Sequence, residues 1–157
     1  MSYIRNKAIE GLAQGDSFVV IRTFTEQDTL AFADISRDYN PVHFDQRFAQ
    51  ARNFHERICH GLLIGSLLTE IGGQIGWLAS GMNFRYRKPV YFGDNIECRF
   101  AITEIDDRNR AKAEVVFKNQ NDEIVIEASV TGIIPGIAER RVMEAMMAEG
   151  DPTNKCR

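Results

Sequence analysis

A chain of 157 residues, 44% of them hydrophobic, is long enough for one domain with one substantial core. A net charge of -3, with acids and bases mixed along the chain, argues against a nucleic-acid surface, which would show a basic domain or stripe. The most apolar stretch, 58–79, carries His60, Glu70, Gln74 and several glycines, so it makes a poor membrane span.

Residues 1–16 are polar, lack the apolar run and small-residue cleavage site of a signal peptide, and read as irregular, ending in a Gly15-Asp16 turn. Ser17 to Phe24 is rich in β-branched and aromatic residues and predicts a strand. Thr25 is then an N-cap, with Glu26 and Asp28 suited to the first turn of a helix running to about Ser36. Pro41 cannot continue it and disfavours helical geometry at Asn40. A charged segment follows to Arg57, with a short helical turn at 46–51 and Phe48 and Phe54 as anchors.

Ile58 to Gln74 predicts a helix apolar on more than one face, which other elements must surround. After Trp77 the period changes to two. Apolar and polar residues alternate through 82–87, 95–105, 111–119 and 123–134, with turns at Gly93-Asp94, Asp106–Arg108 and Asn119–Asp122. These predict four antiparallel strands joined by hairpins, and with the helices an α+β domain whose curved sheet wraps the apolar helix. Residues 136–157 form a C-terminal extension of that single domain. Ile137 to Glu149 reads as an amphipathic helix through Val142, Met143, Met146 and Met147, and Gly150 to Arg157 as a frayed end. The three cysteines, Cys59, Cys98 and Cys156, have no zinc-ligand spacing, so reduced thiols in a cytoplasmic protein without a metal are expected.

The chemistry concentrates in Ser36–Asp45. Asp38 and His43 stand five residues apart around a rigid Asn40-Pro41 turn. Histidine exchanges protons near neutral pH, and a carboxylate beside it can orient it or share a water with it. The plainer alternatives are that Asp38 caps the first helix and His43 is a satisfied turn residue. Spacing by itself leaves both open. His60 reads as a packing and capping residue, and His55 as an exposed loop residue.

The run Asp38-Tyr39-Asn40-Pro41-Val42-His43, followed eighteen residues after His43 by Gly61 of His60-Gly61, resembles the D-x-N-P-x-H signature of the MaoC-like (R)-specific enoyl-CoA hydratases. Phe84, Pro89-Val90 and Gly93-Asp94 resemble a second element of that family, and the likeness spans about 15–135. It implies a hot-dog fold and syn hydration of a trans-2-enoyl thioester to the (R)-3-hydroxyacyl thioester. By that similarity Asp38 and His43 hold the water, and the Gly61 N–H at a helix start takes the thioester oxygen, beside the plainer reading that glycine there serves close helix–sheet packing. Asn40 and Thr69 would support the site; Asn40 reads as a turn residue, and Thr69 stands where the family often has serine, against the alternative of a buried helical threonine bonding its own backbone. Arg85, Arg87 and Lys88 are candidates for coenzyme A phosphates, against the alternative of a solvated strand face. Ile71, Gly72 and Thr131 are candidates for the acyl lining.

No cofactor is expected beyond coenzyme A as part of the substrate. An acyl carrier protein is the alternative carrier, which would make the chain a (3R)-hydroxyacyl-ACP dehydratase. A thioesterase and a non-catalytic acyl-CoA-binding module are the remaining readings, and the Asp38/His43 pair argues against both. A homodimer or larger homo-oligomer with a continuous sheet is expected from the open strand edges.

Overall fold

The computed structural model describes residues 2–155, so Cys156 lies outside it. Short-range signals set most elements. Thr25 accepts from the Asp28 N–H while the Asp28 carboxylate accepts from the Thr25 N–H, a reciprocal capping box that starts α2 (Glu26–Ser36) directly after β1 (Ser17–Thr23). Asp45 likewise caps α3 (Gln46–Ala51) through the Arg47 N–H. The alternating segments become β2 (Leu78–Tyr86), β3 (Asn95–Ile105), β4 (Arg110–Lys118) and β5 (Ile124–Ile133).

These strands form one antiparallel sheet in the order β1-β3-β4-β5-β2. Pairing brings Phe100 opposite Val115, and Val115 opposite Ala128, so one face is apolar throughout. That face meets Ile64, Leu67, Leu68, Ile71 and Ile75 of the central helix in one hydrophobic core. A sheet laid around a buried helix is the hot-dog arrangement that the resemblance implies. β3-β4 and β4-β5 are hairpins, but β2 does not sit beside β3 as predicted. It pairs with β5 at the far edge. The connection crosses instead of turning back, because Ile58 bridges Tyr91 and the Gly93 N–H donates to the Phe24 carbonyl.

The central helix starts three residues later than predicted and is broken once. Ile58–His60 is extended, tied by the Tyr91 bridge and by the Cys59 N–H to the Val90 carbonyl at 2.8 Å. The helix then runs as α4 (Gly61–Gly65) and α5 (Leu67–Ile75). At Ser66 the hydroxyl donates to the Leu63 carbonyl and the Thr69 N–H closes a three-residue turn on the Ser66 carbonyl, which interrupts the ladder. Gly61 and Gly65 lie on one helical face. A Cβ at either would collide with a ring, Tyr86 at 2.6 Å and Phe84 at 2.9 Å respectively. Glycine at this spacing lets the helix lie directly against the two aromatic residues that alternate along β2.

Two expectations at the chain ends fail. Residues 3–10 are not irregular but form α1 (Tyr3–Glu10), whose buried Ile4 and Ala8 pack under α6 (Ile137–Ala148). The stripe is too short to register as a period in sequence, and tertiary packing supplies the stability it lacks. Nor is the described part of the terminus frayed. Asp151 is buried, 3.6 Å from the Arg5 guanidinium, and accepts from the Thr153 hydroxyl. Cys59 and Cys98 are buried, and burial pushes both thiols up to about 12, which makes them inert. No helix of the described residues is long and apolar enough to cross a membrane.

Met143 of α6 belongs to the common core. Met143→Ala should therefore destabilise the fold by about 2–5 kcal/mol in chemical denaturation, as a core truncation does; an unchanged midpoint would make the extension an independent appendage.

Candidate active site

The predicted turn forms as a tight local structure. α2 is closed by its C-cap, Arg37, which takes a left-handed conformation (φ 63°). The Asp38 N–H donates to the Ser36 hydroxyl, and the Asn40 N–H donates to Asp38 Oδ1 at 3.1 Å. Asn40 in turn accepts from the Val42 N–H, with Pro41 opening a single 3₁₀ turn that ends at His43. Asn40 thus builds the turn, while Asp38 and His43 are turned toward each other.

His43 is buried and Asp38 is half exposed, with 8% and 49% of their side chains accessible. His43 Nδ1 lies 2.8 Å from the Ile58 carbonyl. A carbonyl can only accept, so Nδ1 carries the proton and Nε2 is left with its lone pair. That lone pair stands 3.9 Å from Asp38 Oδ2, beyond a direct hydrogen bond and within reach of one bridging water. Burial holds His43 below its ordinary pKa; nearby His60 adds to this, while the Ile58 carbonyl and the Asp38 charge oppose it.

His43 opens onto a cavity of about 440 Å³. Gly61 is in its wall with Phe54, Ile58, Leu62, Tyr86 and Val90. As first residue of α4, Gly61 has an amide with no helical acceptor behind it. His43, with the Asp38 carboxylate 3.9 Å from its Nε2, and the helix-start amide of Gly61 therefore meet at one largely apolar space.

The other candidates separate. Arg87 and Lys88 border the same cavity, but they are ion-paired with Glu127 and Glu123. Arg85 lies elsewhere, on the outer sheet face in a groove with Asn83 and Glu114. Thr69 does not reach the His43 cavity. Its hydroxyl donates to the Ser66 carbonyl at 2.6 Å, and it lines a smaller apolar cavity of about 180 Å³ with Gly72, Trp77 and Met82. Of the acyl-lining candidates only Gly72 borders that space; Ile71 is sealed in the core, and Thr131 faces an unrelated groove.

His60 is the residue sequence reasoning underrated. Its side chain makes no helix cap. Instead the ring stacks on His43, centroids 3.8 Å apart, and Nε2 lies 2.8 Å from the Asp38 carbonyl and 3.9 Å from Asp38 Oδ2. Only its position beside Gly61 could have drawn attention to it. His55 is exposed as expected, though its ring stacks on Tyr91.

Asp38, His43 and His60 bring potential ligand atoms within 4.8 Å of one another, a composition that can hold a metal. The hydrogen bonds count against that use. The Asp38 carbonyl engages His60 Nε2 as a donor, so the cluster offers one imidazole lone pair and one carboxylate, which suits a water better than a divalent ion.

The chain is 33% identical over 132 residues to the mitochondrial 3-hydroxyacyl-[acyl-carrier-protein] dehydratase of Arabidopsis thaliana, covering 80% of each. It is 30% identical over 100 residues to the (R)-specific enoyl-CoA hydratase of Aeromonas caviae, covering 61% of this chain and 75% of that one. Among solved structures, the (R)-hydratase from A. caviae involved in PHA biosynthesis superposes with a TM-score of 0.75 at 26% identity, over 80% of this chain and 99% of that one. The protein is a hot-dog enzyme of the hydro-lyase class. More particularly, it belongs to the MaoC like domain family, whose model matches residues 13–125.

Because His43 is held neutral on folding, the unfolded chain binds the extra proton first as pH falls below 6.5, and that part of the stability is lost until the folded pKa is passed. Stability measured by denaturant titration from pH 8 to pH 5 should fall more steeply for the wild type than for His43→Gln. Parallel profiles would contradict a buried, neutral His43.

Proposed function

We propose that the protein catalyses reversible, (R)-specific hydration of trans-2-enoyl-CoA to (R)-3-hydroxyacyl-CoA. The observation that carries this is the His43 Nε2 lone pair facing Asp38 Oδ2 across 3.9 Å, beside a cavity that also holds Gly61. A water between the two groups adds its oxygen to C3 as its proton passes to the pair. A proton is then delivered to C2, so one O–H bond and the C2–C3 π bond break, C3–O and C2–H bonds form, and the pair returns to its starting state. The two groups act as one coupled unit. With both groups acting from one face of the thioester, the addition is syn. The Gly61 N–H donates to the thioester oxygen as enolate charge develops, an interaction worth about 3 kcal/mol in comparable oxyanion sites. Arg87 and Lys88 at the cavity border receive the phosphates of the carrier.

A second reading, dehydration of (3R)-hydroxyacyl groups on an acyl carrier protein, is favoured by the similarity to the A. thaliana dehydratase. The acyl chemistry is the same and the carrier differs. Spectrophotometric hydration of crotonyl-CoA and longer enoyl-CoAs, beside the same acyl groups on acyl carrier protein, separates the two. Asp38→Asn and His43→Ala should each lower kcat by about 10²–10⁴-fold, and chiral analysis should give the (R) product. An inert wild type on both carriers, or fully active variants, would refute the assignment.

We also propose a homodimer. β2 is an edge strand whose unpaired backbone groups and exposed Leu78, Met82 and Tyr86 invite a second copy. Light scattering should return twice the chain mass; a monomer at micromolar concentration would oppose the idea.

A further inference from the structure

Asp38 sits in a segment held almost entirely by its own local hydrogen bonds. From Arg37 to Asn40 nearly every hydrogen bond is local, made to residues 33–43: Arg37 N–H to Ala33, Asp38 N–H to Ser36, Tyr39 hydroxyl to Asp34, Asn40 N–H to Asp38 itself. Among the described residues, one hydrogen bond reaches this segment from elsewhere in the chain. It comes from His60 Nε2 to the Asp38 carbonyl, 2.8 Å long.

The donor is itself firmly held. The His60 ring is 1% exposed and wedged among His43, Phe32 (centroids 5.0 Å apart) and Phe44 (6.1 Å). Its backbone belongs to the extended run that the Cys59 N–H fastens to Val90 and that Ile58 fastens to Tyr91. The same run gives His43 its partner, the Ile58 carbonyl, and continues directly into Gly61. His60 also carries a feature that packing alone would not select. With Nε2 donating to Asp38, Nδ1 is a buried acceptor with no hydrogen-bond partner in the described structure. An apolar ring would fill this space without that unfavourable group.

We propose that His60 is a positioning residue, whose Nε2–H holds the Asp38 backbone so that its carboxylate faces His43 Nε2. This rests on the proton-transfer role proposed above for Asp38 and His43. His60 touches neither water nor thioester in that role; it acts through Asp38. The three working groups of the site are thereby set from one four-residue run: His43 through Ile58, Asp38 through His60, and the oxyanion donor at Gly61.

Two substitutions in the full chain separate the hydrogen bond from the ring. His60→Phe keeps a flat ring and removes the donor; His60→Gln keeps an N–H donor and removes the ring. His60→Phe should lose on the order of tenfold to a hundredfold in kcat, the scale of a misplaced catalytic group. Its KM should be unchanged and its melting temperature equal to or above that of the wild type. His60→Gln should recover kcat to within a few-fold despite poorer packing. An active wild type whose His60→Phe variant keeps its kcat overturns the inference alone, as do losses that follow melting temperature in both variants. Long-range ¹⁵N–¹H spectra test the anchor without turnover. They should show the His60 proton on Nε2, with Asp38 and Asn40 amide exchange quickened in His60→Phe and not in His60→Gln; a proton on Nδ1 overturns the anchor. A wild type that hydrates no enoyl thioester would instead count against the function, with the anchor still decided by the spectra.

Discussion

The hydrogen bond from His43 Nδ1 to the Ile58 carbonyl decides what this site can do. It fixes the tautomer, and so turns the basic nitrogen toward Asp38 instead of away from it. Burial then keeps that nitrogen unprotonated near neutrality. Reversing the tautomer would present a donor to the carboxylate, and the two groups would bond each other instead of sharing a water. The extended run at Ile58–His60 is what makes the bond possible, because a helix starting at Ile58 would spend that carbonyl on its own ladder.

The arrangement also explains why the central helix begins and bends where it does. Gly61 and Gly65 allow it to press against Tyr86 and Phe84, and the Ser66 hydroxyl breaks the ladder one residue further on. A helix so placed delivers its first amides to the His43 cavity while α5 fills the sheet's concave face with Leu67, Leu68, Ile71 and Ile75. Site and core are therefore consequences of one packing solution.

Much of this was legible in the chain. The capping box at Thr25 and Asp28, the alternation in β3 to β5, and the Asn40-Pro41 turn are local devices, and local devices can be read without a partner. The signature Asp38…His43…Gly61 indicated three positions that the fold does bring to one place. What escaped depends on distant contacts. The strand order is set by where Tyr91 and Gly93 bond as they cross the sheet, and α1 exists because α5 and α6 lie against it. Of the two readings open for Thr69, the Ser66 break favours the backbone-bonded one, because it gives the hydroxyl a carbonyl acceptor. His60 packs as read, but its hydrogen bond escaped because it reaches a carbonyl twenty-two residues away.

The contact between α1 and α6 has a kinetic side. Arg140 Nη1 donates to the Glu10 carbonyl across 130 positions, and Arg5 meets Asp151. Contacts of such separation close the largest loop the chain can make, which gives little return until the sheet has already brought the ends together. The clasp should therefore form late in folding and open early in unfolding, so that the two ends exchange their amide protons as one cooperative unit, at a lower opening free energy than the strands they cover.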